Sequence, residues 1–298
     1  MAAHVADSPA KVHLLDGALG TELGRRGVAT RGALFSAAAL LDDRGRAALR
    51  EVHRAYLEAS AEVITAATFR TSRRSLAAAG LGARFPELAQ VAVREAREAA
   101  VGRARVAGSL APLEDCYRPD LRPPAAQAAR EHLEHARALA QAGCDLLLVE
   151  TVAATDEGLA AVAAAAATGL PVWVAAMATP AGTLLDGGDL GDFFRRSVAA
   201  GASAALINCT PPDGVDLALP AAAASGVPFG AYAHLGEVDA AVPWGRAPDL
   251  SPEEYAWRAL RWIDRGATIV GGCCGTGPEH IRALARARDG ASGGGRPR

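Results

Sequence analysis

AAQAAREHLEHARALAQAGCDLLLVET, residues 125–151, decides the fold. Residues 125–143 place small and apolar side chains at helical spacing and stop at a glycine, as a helix C-terminus prefers. A short apolar run follows and ends in Glu150 and Thr151. That run is too short for a core helix and suits a strand buried on both faces of a parallel sheet. The same unit recurs on either side. VHLLD (12–16), EVITAAT (62–68), ARVAGSL (104–110), PVWVAAM (171–177), SAALINC (203–209), PFGAYAH (228–234) and ATIVGGC (267–273) are the other strand candidates. Helical stretches such as DRGRAALREVHRAYLEAS, PELAQVAVREAREAAVG and SPEEYAWRALRWIDRG stand between them. The rhythm predicts an α/β fold, an eight-stranded parallel (β/α) TIM barrel whose closure leaves no exposed edge. An open doubly wound sheet is the alternative, but no G-x-G-x-x-G turn follows the first strand, so dinucleotide binding has little support.

The 298 residues suit one such barrel, and half of them are apolar, enough for a large core. The expected organisation is a flexible N-terminus (1–10), a single barrel domain (11–289) and a disordered glycine-rich tail (290–298). No apolar run approaches membrane-spanning length, and MAAHVADSPAKV has no basic region followed by an apolar one, so a soluble cytoplasmic protein is expected. Net charge is −2 with no dense basic cluster, which argues against nucleic acid and membrane surfaces and for small-molecule substrates; homo-oligomerisation is left open. Five cysteines in so long a chain do not suggest a disulfide framework and leave thiols free for metal or chemistry. Lys11 is the only lysine, so Schiff-base chemistry has almost no candidate residue.

In an α/β barrel the reactive groups gather where the strands end. That rule selects Asp16 after the first strand, Thr68 after the second, Glu150 at the end of the fourth, Asn208 and Cys209 after the sixth, and Cys273 and Cys274 after the eighth. Three cysteines thus point at one mouth. Three thiolates make a soft-metal site, zinc is the usual occupant, and three protein ligands leave a fourth position open, as in catalytic rather than structural zinc. Adjacent side chains on a strand face opposite ways, so the chain must turn at Cys273–Cys274, and glycines at 271, 272, 275 and 277 permit it. On spacing alone other readings stay open: buried apolar cysteines, the fate assigned to Cys116 and Cys144, a phosphate-holding turn, or a vicinal disulfide.

LLDGALGTEL (14–23), ITAATFRTSRRSL (64–76), AGSLAP (107–112), LLLVET (146–151), INC (207–209) and GGCCGTGPEHI (271–281) occur in this order over nearly the whole chain. Together they resemble the homocysteine S-methyltransferase family, which includes S-methylmethionine-dependent and betaine-dependent enzymes. The resemblance implies a zinc-dependent methyltransferase making methionine from homocysteine, with Cys209, Cys273 and Cys274 as ligands. It implies that Asp16 and Glu150 receive the substrate ammonium, with Gly17, Thr68 and Asn208 completing the substrate site. A primary ammonium that is costly to bury alone is satisfied by two carboxylates.

The implied chemistry needs no catalytic residue beyond the zinc-activated substrate thiolate. A free thiol, with a pKa near about 8.5, is mostly protonated at neutral pH, and coordination removes its proton. The donor expected is a sulfonium, S-methylmethionine or S-adenosylmethionine. Transfer to another thiol or selenol, or a zinc-binding sensor without turnover, is the alternative. LAPLEDCYRPDLRP (110–123) departs from the glycine and aromatic pattern associated with S-methylmethionine enzymes. Arg70, Arg73, His234 and Trp244 are secondary candidates for the donor side.

Overall fold

The computed structural model describes residues 11–30, 32–236 and 246–292. The strands are β1 (His13–Leu14), β2 (Val63–Thr65), β3 (Arg105–Leu110), β4 (Leu146–Val152), β5 (Val172–Ala176), β6 (Ala202–Asn208), β7 (Phe229–Ala233) and β8 (Ile269–Gly272). All pair in parallel, in the order β1-β8-β7-β6-β5-β4-β3-β2. The ring is completed between its two ends, where Leu15 bridges Val63 and the Asp16 N–H donates to the Val63 carbonyl at 3.0 Å. The predicted barrel is therefore the one observed, with six strands inside their expected segments and β4 and β6 each reaching one residue beyond, to Val152 and from Ala202.

Helices α1 (Leu19–Arg25) and α2 (Asp43–Glu58) follow β1, and α3 (Arg73–Ala78) and α4 (Phe85–Ala100) follow β2. Single helices follow the rest: α5 (Ala125–Ala142), α6 (Thr155–Ala166), α7 (Leu190–Ala199), α8 (Pro212–Ala223), α9 (Pro252–Asp264) and α10 (Pro278–Ser292). Their ends are written locally. Asp42 accepts from the Gly45 N–H at 2.7 Å to start α2, and Ser251 and Glu254 form a reciprocal capping box on α9. Gly143 stops α5 with a φ of 94°, the left-handed conformation that glycine adopts without a Cβ penalty. α10 runs to Ser292, so positions 290–292 of the expected tail are helical. Residues 1–10, the remainder of the tail and Trp244 lie outside the described residues.

Strand alternation divides the core in two. Leu15, Leu148, Trp173, Leu206 and Ile269 fill the barrel interior, while their neighbours Leu14, Leu147, Val174, Ile207 and Val270 pack outward against the helices. Among the described residues no helix is long and apolar enough to cross a membrane. Leu206 is fully buried in the interior layer. Leu206→Ala should destabilise the protein by about 2–5 kcal/mol, read as a lower urea midpoint, because closed-barrel packing cannot collapse onto the missing side chain.

Candidate metal centre

The strand ends open into one cavity of about 1270 Å³. Its walls include Asp16 and Gly17 after β1, Phe69 and Arg70 after β2, Cys116 and Tyr117 after β3, Glu150, Cys209, His234, Cys273 and Cys274. The volume exceeds what one amino acid fills, so two small substrates fit at once.

At its floor the sulfurs of Cys209, Cys273 and Cys274 lie within 4.8 Å of one another, with Cys209 and Cys273 Sγ 2.7 Å apart. Two backbone devices bring them together. Cys209 leaves β6 with φ 47°, a left-handed conformation unusual for a residue with a side chain. After β8, the Thr276 N–H and hydroxyl both donate to the Cys273 carbonyl, at 3.1 and 2.7 Å, and Gly275 turns the chain with φ 81°. Only a glycine fits at 275, since a Cβ would stand 2.3 Å from the Leu235 carbonyl oxygen. The adjacent cysteines consequently face one point instead of opposite sides of a strand.

Packing three thiols together separates their acidities. Cys274 is held well below the usual thiol range by hydrogen bonds from Cys209 and Cys273, against the effect of burial. Cys209 is pushed well above it by Cys273 and Cys274 and by burial. One negative charge is accommodated and the next is resisted, which is the electrostatics of a cation site. The donor set is soft and compact, with Cys209 buried and Cys273 and Cys274 half-buried, and it suits a thiophilic divalent metal such as zinc.

Two carboxyls share the cavity. Asp16 accepts from the Thr65 N–H at 2.7 Å and the Thr65 hydroxyl at 3.1 Å. Glu150 accepts from the Ser109 hydroxyl and, at 3.1 Å, from the Tyr232 hydroxyl. The β4–β5 register shifts between Val149 and Val152, and that bulge re-aims Glu150 at the cavity. Burial pushes both carboxyls up to about 7, although their hydrogen bonds oppose the shift. Both groups are poised to ionise fully when a cation such as an ammonium arrives. Gly17 is tight for its own reason, as a Cβ would meet the Thr276 and Tyr56 hydroxyls at 2.8 and 2.9 Å.

Two residues of the expected substrate site do not line the cavity. Thr68 is fully buried, its hydroxyl accepting from the Ser109 N–H at 2.8 Å and donating to the Ser109 carbonyl at 3.0 Å. It therefore holds Ser109 in place for Glu150. Asn208 is fully buried as well, accepting from the Thr151 N–H at 3.1 Å and donating to the Thr151 hydroxyl at 3.0 Å. That pair sustains the left-handed backbone of Thr151 (φ 58°), whose hydroxyl points at Cys209 Sγ, 3.8 Å away. Asn208 therefore acts behind the sulfurs. The supports Thr65, Ser109, Thr151 and Tyr232 were missed from sequence, because a hydroxyl near a strand end carries no signal until its partner strand is known.

Of the secondary candidates, Arg70 donates to the Glu114 carbonyl at 2.7 Å and Arg73 pairs with Glu134 at 2.7 Å, so both brace the cavity rim. His234 is fully buried, with Nε2 3.3 Å from the Gly236 carbonyl. Cys144 is buried beside Gly108, whereas Cys116 borders the cavity.

An α/β barrel with three thiols and two buried carboxyls at its mouth defines the class, and comparisons with known proteins narrow it. The sequence model described as "Homocysteine S-methyltransferase" matches residues 13–288. Homocysteine S-methyltransferase 1 of Zea mays is 27% identical, over 94% of this chain and 95% of its own. Selenocysteine methyltransferase of Astragalus bisulcatus is 28% identical, over 91% and 90%. The crystal structure of the Escherichia coli homocysteine methyltransferase MmuM in its metallated form superposes with a TM-score of 0.80 at 29% identity, covering 93% of this chain and 96% of that one. The chain belongs to the homocysteine S-methyltransferase family, and it is a methyltransferase.

The buried Asp16 carboxyl generates a pH prediction. An aspartate in the unfolded chain titrates near about 3.9. Because the folded carboxyl titrates at about 7, the stability tied to its proton is complete below the unfolded value and is lost as pH rises through about 7. Substrate-free Asp16→Asn should therefore gain stability relative to the parent between pH 5 and pH 8. Urea unfolding across that range checks this, and a pH slope unchanged by the substitution contradicts the assignment.

Proposed function

We propose that this protein transfers a methyl group from a sulfonium donor, S-methylmethionine or S-adenosylmethionine, to the thiol of homocysteine, giving methionine. The observation that carries the reading is the presence of three gathered sulfurs and two buried carboxyls in one cavity large enough for both substrates. Cys209, Cys273 and Cys274 would hold zinc. When bound there, zinc supplies the acidity that leaves the substrate thiol deprotonated at neutral pH.

The protein's own groups then act by binding and exclusion. Asp16 and Glu150 hold the substrate ammonium, each pre-oriented by hydroxyl donors, so that the amino-acid end fixes where the sulfur lies. The flanking apolar walls keep water from competing with the sulfur for the methyl group. In the transfer a substrate sulfur lone pair forms the new C–S bond, the donor's C–S bond breaks, and its electron pair leaves with a neutral thioether. No proton moves in that step, so no general base is needed. The two acids and three thiolates make the site strongly anionic, which favours a cationic donor.

The likeness to a selenocysteine methyltransferase supports a selenol as a second acceptor in the same position, since a selenol meets the same soft centre and carries the same ammonium group. Five free thiols support a reducing, cytoplasmic setting.

Metal analysis of reduced protein should give about one zinc per chain, falling to a trace in Cys209→Ala; equal zinc in both would discard the ligand set. In turnover assays Glu150→Gln should raise the homocysteine KM by at least about tenfold, because a hydrogen bond to a buried charge is worth roughly 1.5–3 kcal/mol. Failure of homocysteine to yield methionine with every sulfonium donor tested would remove the reading itself.

A further inference from the structure

Among the described residues four aromatic rings border the cavity: Phe35, Phe69, Tyr117 and Tyr232. Three are already engaged. Phe35 and Phe69 pack edge to face, with centroids 5.9 Å apart at 61°. Phe69 also carries the Arg70 guanidinium 5.2 Å from its centroid. Tyr232 is buried and gives its hydroxyl to Glu150. Tyr117 differs, because its ring has no aromatic or cationic partner and its hydroxyl no hydrogen bond among the described residues, although it packs, as Cys273 and Cys274 do, against the cluster of Cys116, Ala153, Met177 and Cys209.

The loop carrying Tyr117 is fixed from several directions. Arg70 donates to the Pro112 and Glu114 carbonyls at 3.3 and 2.7 Å. Arg74 pairs with the Glu114 carboxylate at 2.8 Å, and Glu157 accepts from the Leu113 N–H at 2.9 Å. The Tyr117 N–H is itself tied to the Asp115 carboxylate at 2.9 Å. A ring on a pinned loop, without an aromatic or cationic partner and beside a group of sulfurs, is suited to attract a cation that must approach those sulfurs.

We infer that Tyr117 is the binding residue that recognises the positive charge of the methyl donor, its ring meeting the sulfonium as the methyl group is presented to the acceptor sulfur. The inference rests on the proposed methyl transfer and assigns its donor selectivity to one side chain. This is also the loop in which the sequence departs from the pattern associated with S-methylmethionine enzymes. A ring quadrupole attracts charge without a counter-anion, and a carboxylate there would add to the repulsion among the thiolates and acids below.

The test is equilibrium binding by calorimetry to zinc-loaded protein. The probes are S-methyl-L-methionine and homoleucine, the neutral amino acid of the same shape with CH in place of the sulfonium sulfur. The wild type should prefer the sulfonium. Tyr117→Phe keeps the ring and should preserve the preference within about twofold, while Tyr117→Leu should lower it by roughly 5- to 30-fold, with homoleucine and homocysteine affinities little changed. Preference retained in Tyr117→Leu, or none in the wild type, overturns the inference. Equal loss for both probes would show a packing role and overturn it too. Turnover is scored separately: a wild type that discriminates charge yet makes no methionine refutes the proposed transfer and leaves the role of Tyr117 standing.

Discussion

Closing eight parallel strands into a ring forces every strand's carboxyl end onto the same rim. Residues separated by more than sixty positions, such as Cys209 and Cys273, thereby become neighbours. The cost is electrostatic. Three thiols and two carboxyls, all largely withdrawn from water, repel one another whenever they ionise, and a shared cavity gives them little solvent screening. The raised carboxyls chiefly express the withdrawal from water, with charge repulsion a smaller part, and the divided thiol acidities express the contact among the sulfurs. A metal cation, an ammonium and a sulfonium each relieve part of it, which ties the proposed ligands to one physical cause.

The barrel was legible because its signal is redundant. Residues 125–151 announce a helix, a glycine stop and a strand, and the rhythm repeats often enough that one misread unit would not change the topology. The sulfurs were legible for a similar reason: strand-end position is a property of sequence, and it put Asp16, Glu150 and the three cysteines on one rim. What sequence could not supply was side-chain direction. Thr68 stands just past β2 and Asn208 ends β6, yet both turn into backbone hydrogen-bonding roles. Cys116 is the small buried apolar residue the sequence suggested, but it also borders the cavity, because its location depends on how a loop is pinned by arginines from another unit.

Those pinning contacts show how a loop-built site gains precision. Glu150 is aimed by a bulge and held by two hydroxyls, Cys209 is backed by the Asn208–Thr151 pair, and Cys273 and Cys274 are turned by a glycine that tolerates no substitute. Left-handed conformations at Thr151 and Cys209 are unfavourable alone by about 1–3 kcal/mol each, so both depend on the surrounding hydrogen bonds. Two of the five left-handed non-glycine residues among the described ones thus sit at strand ends beside the cavity, while the barrel's interior layer is ordinary close packing.

The single chamber has a stereochemical corollary. Under the proposed transfer, with both substrates in one space and no side chain assigned to carry the methyl group, the reaction would proceed by one displacement, from the face opposite the departing thioether. A methyl carbon made chiral with hydrogen isotopes would emerge with its handedness inverted, and the enzyme would never exist as a methylated species between the two halves of a cycle.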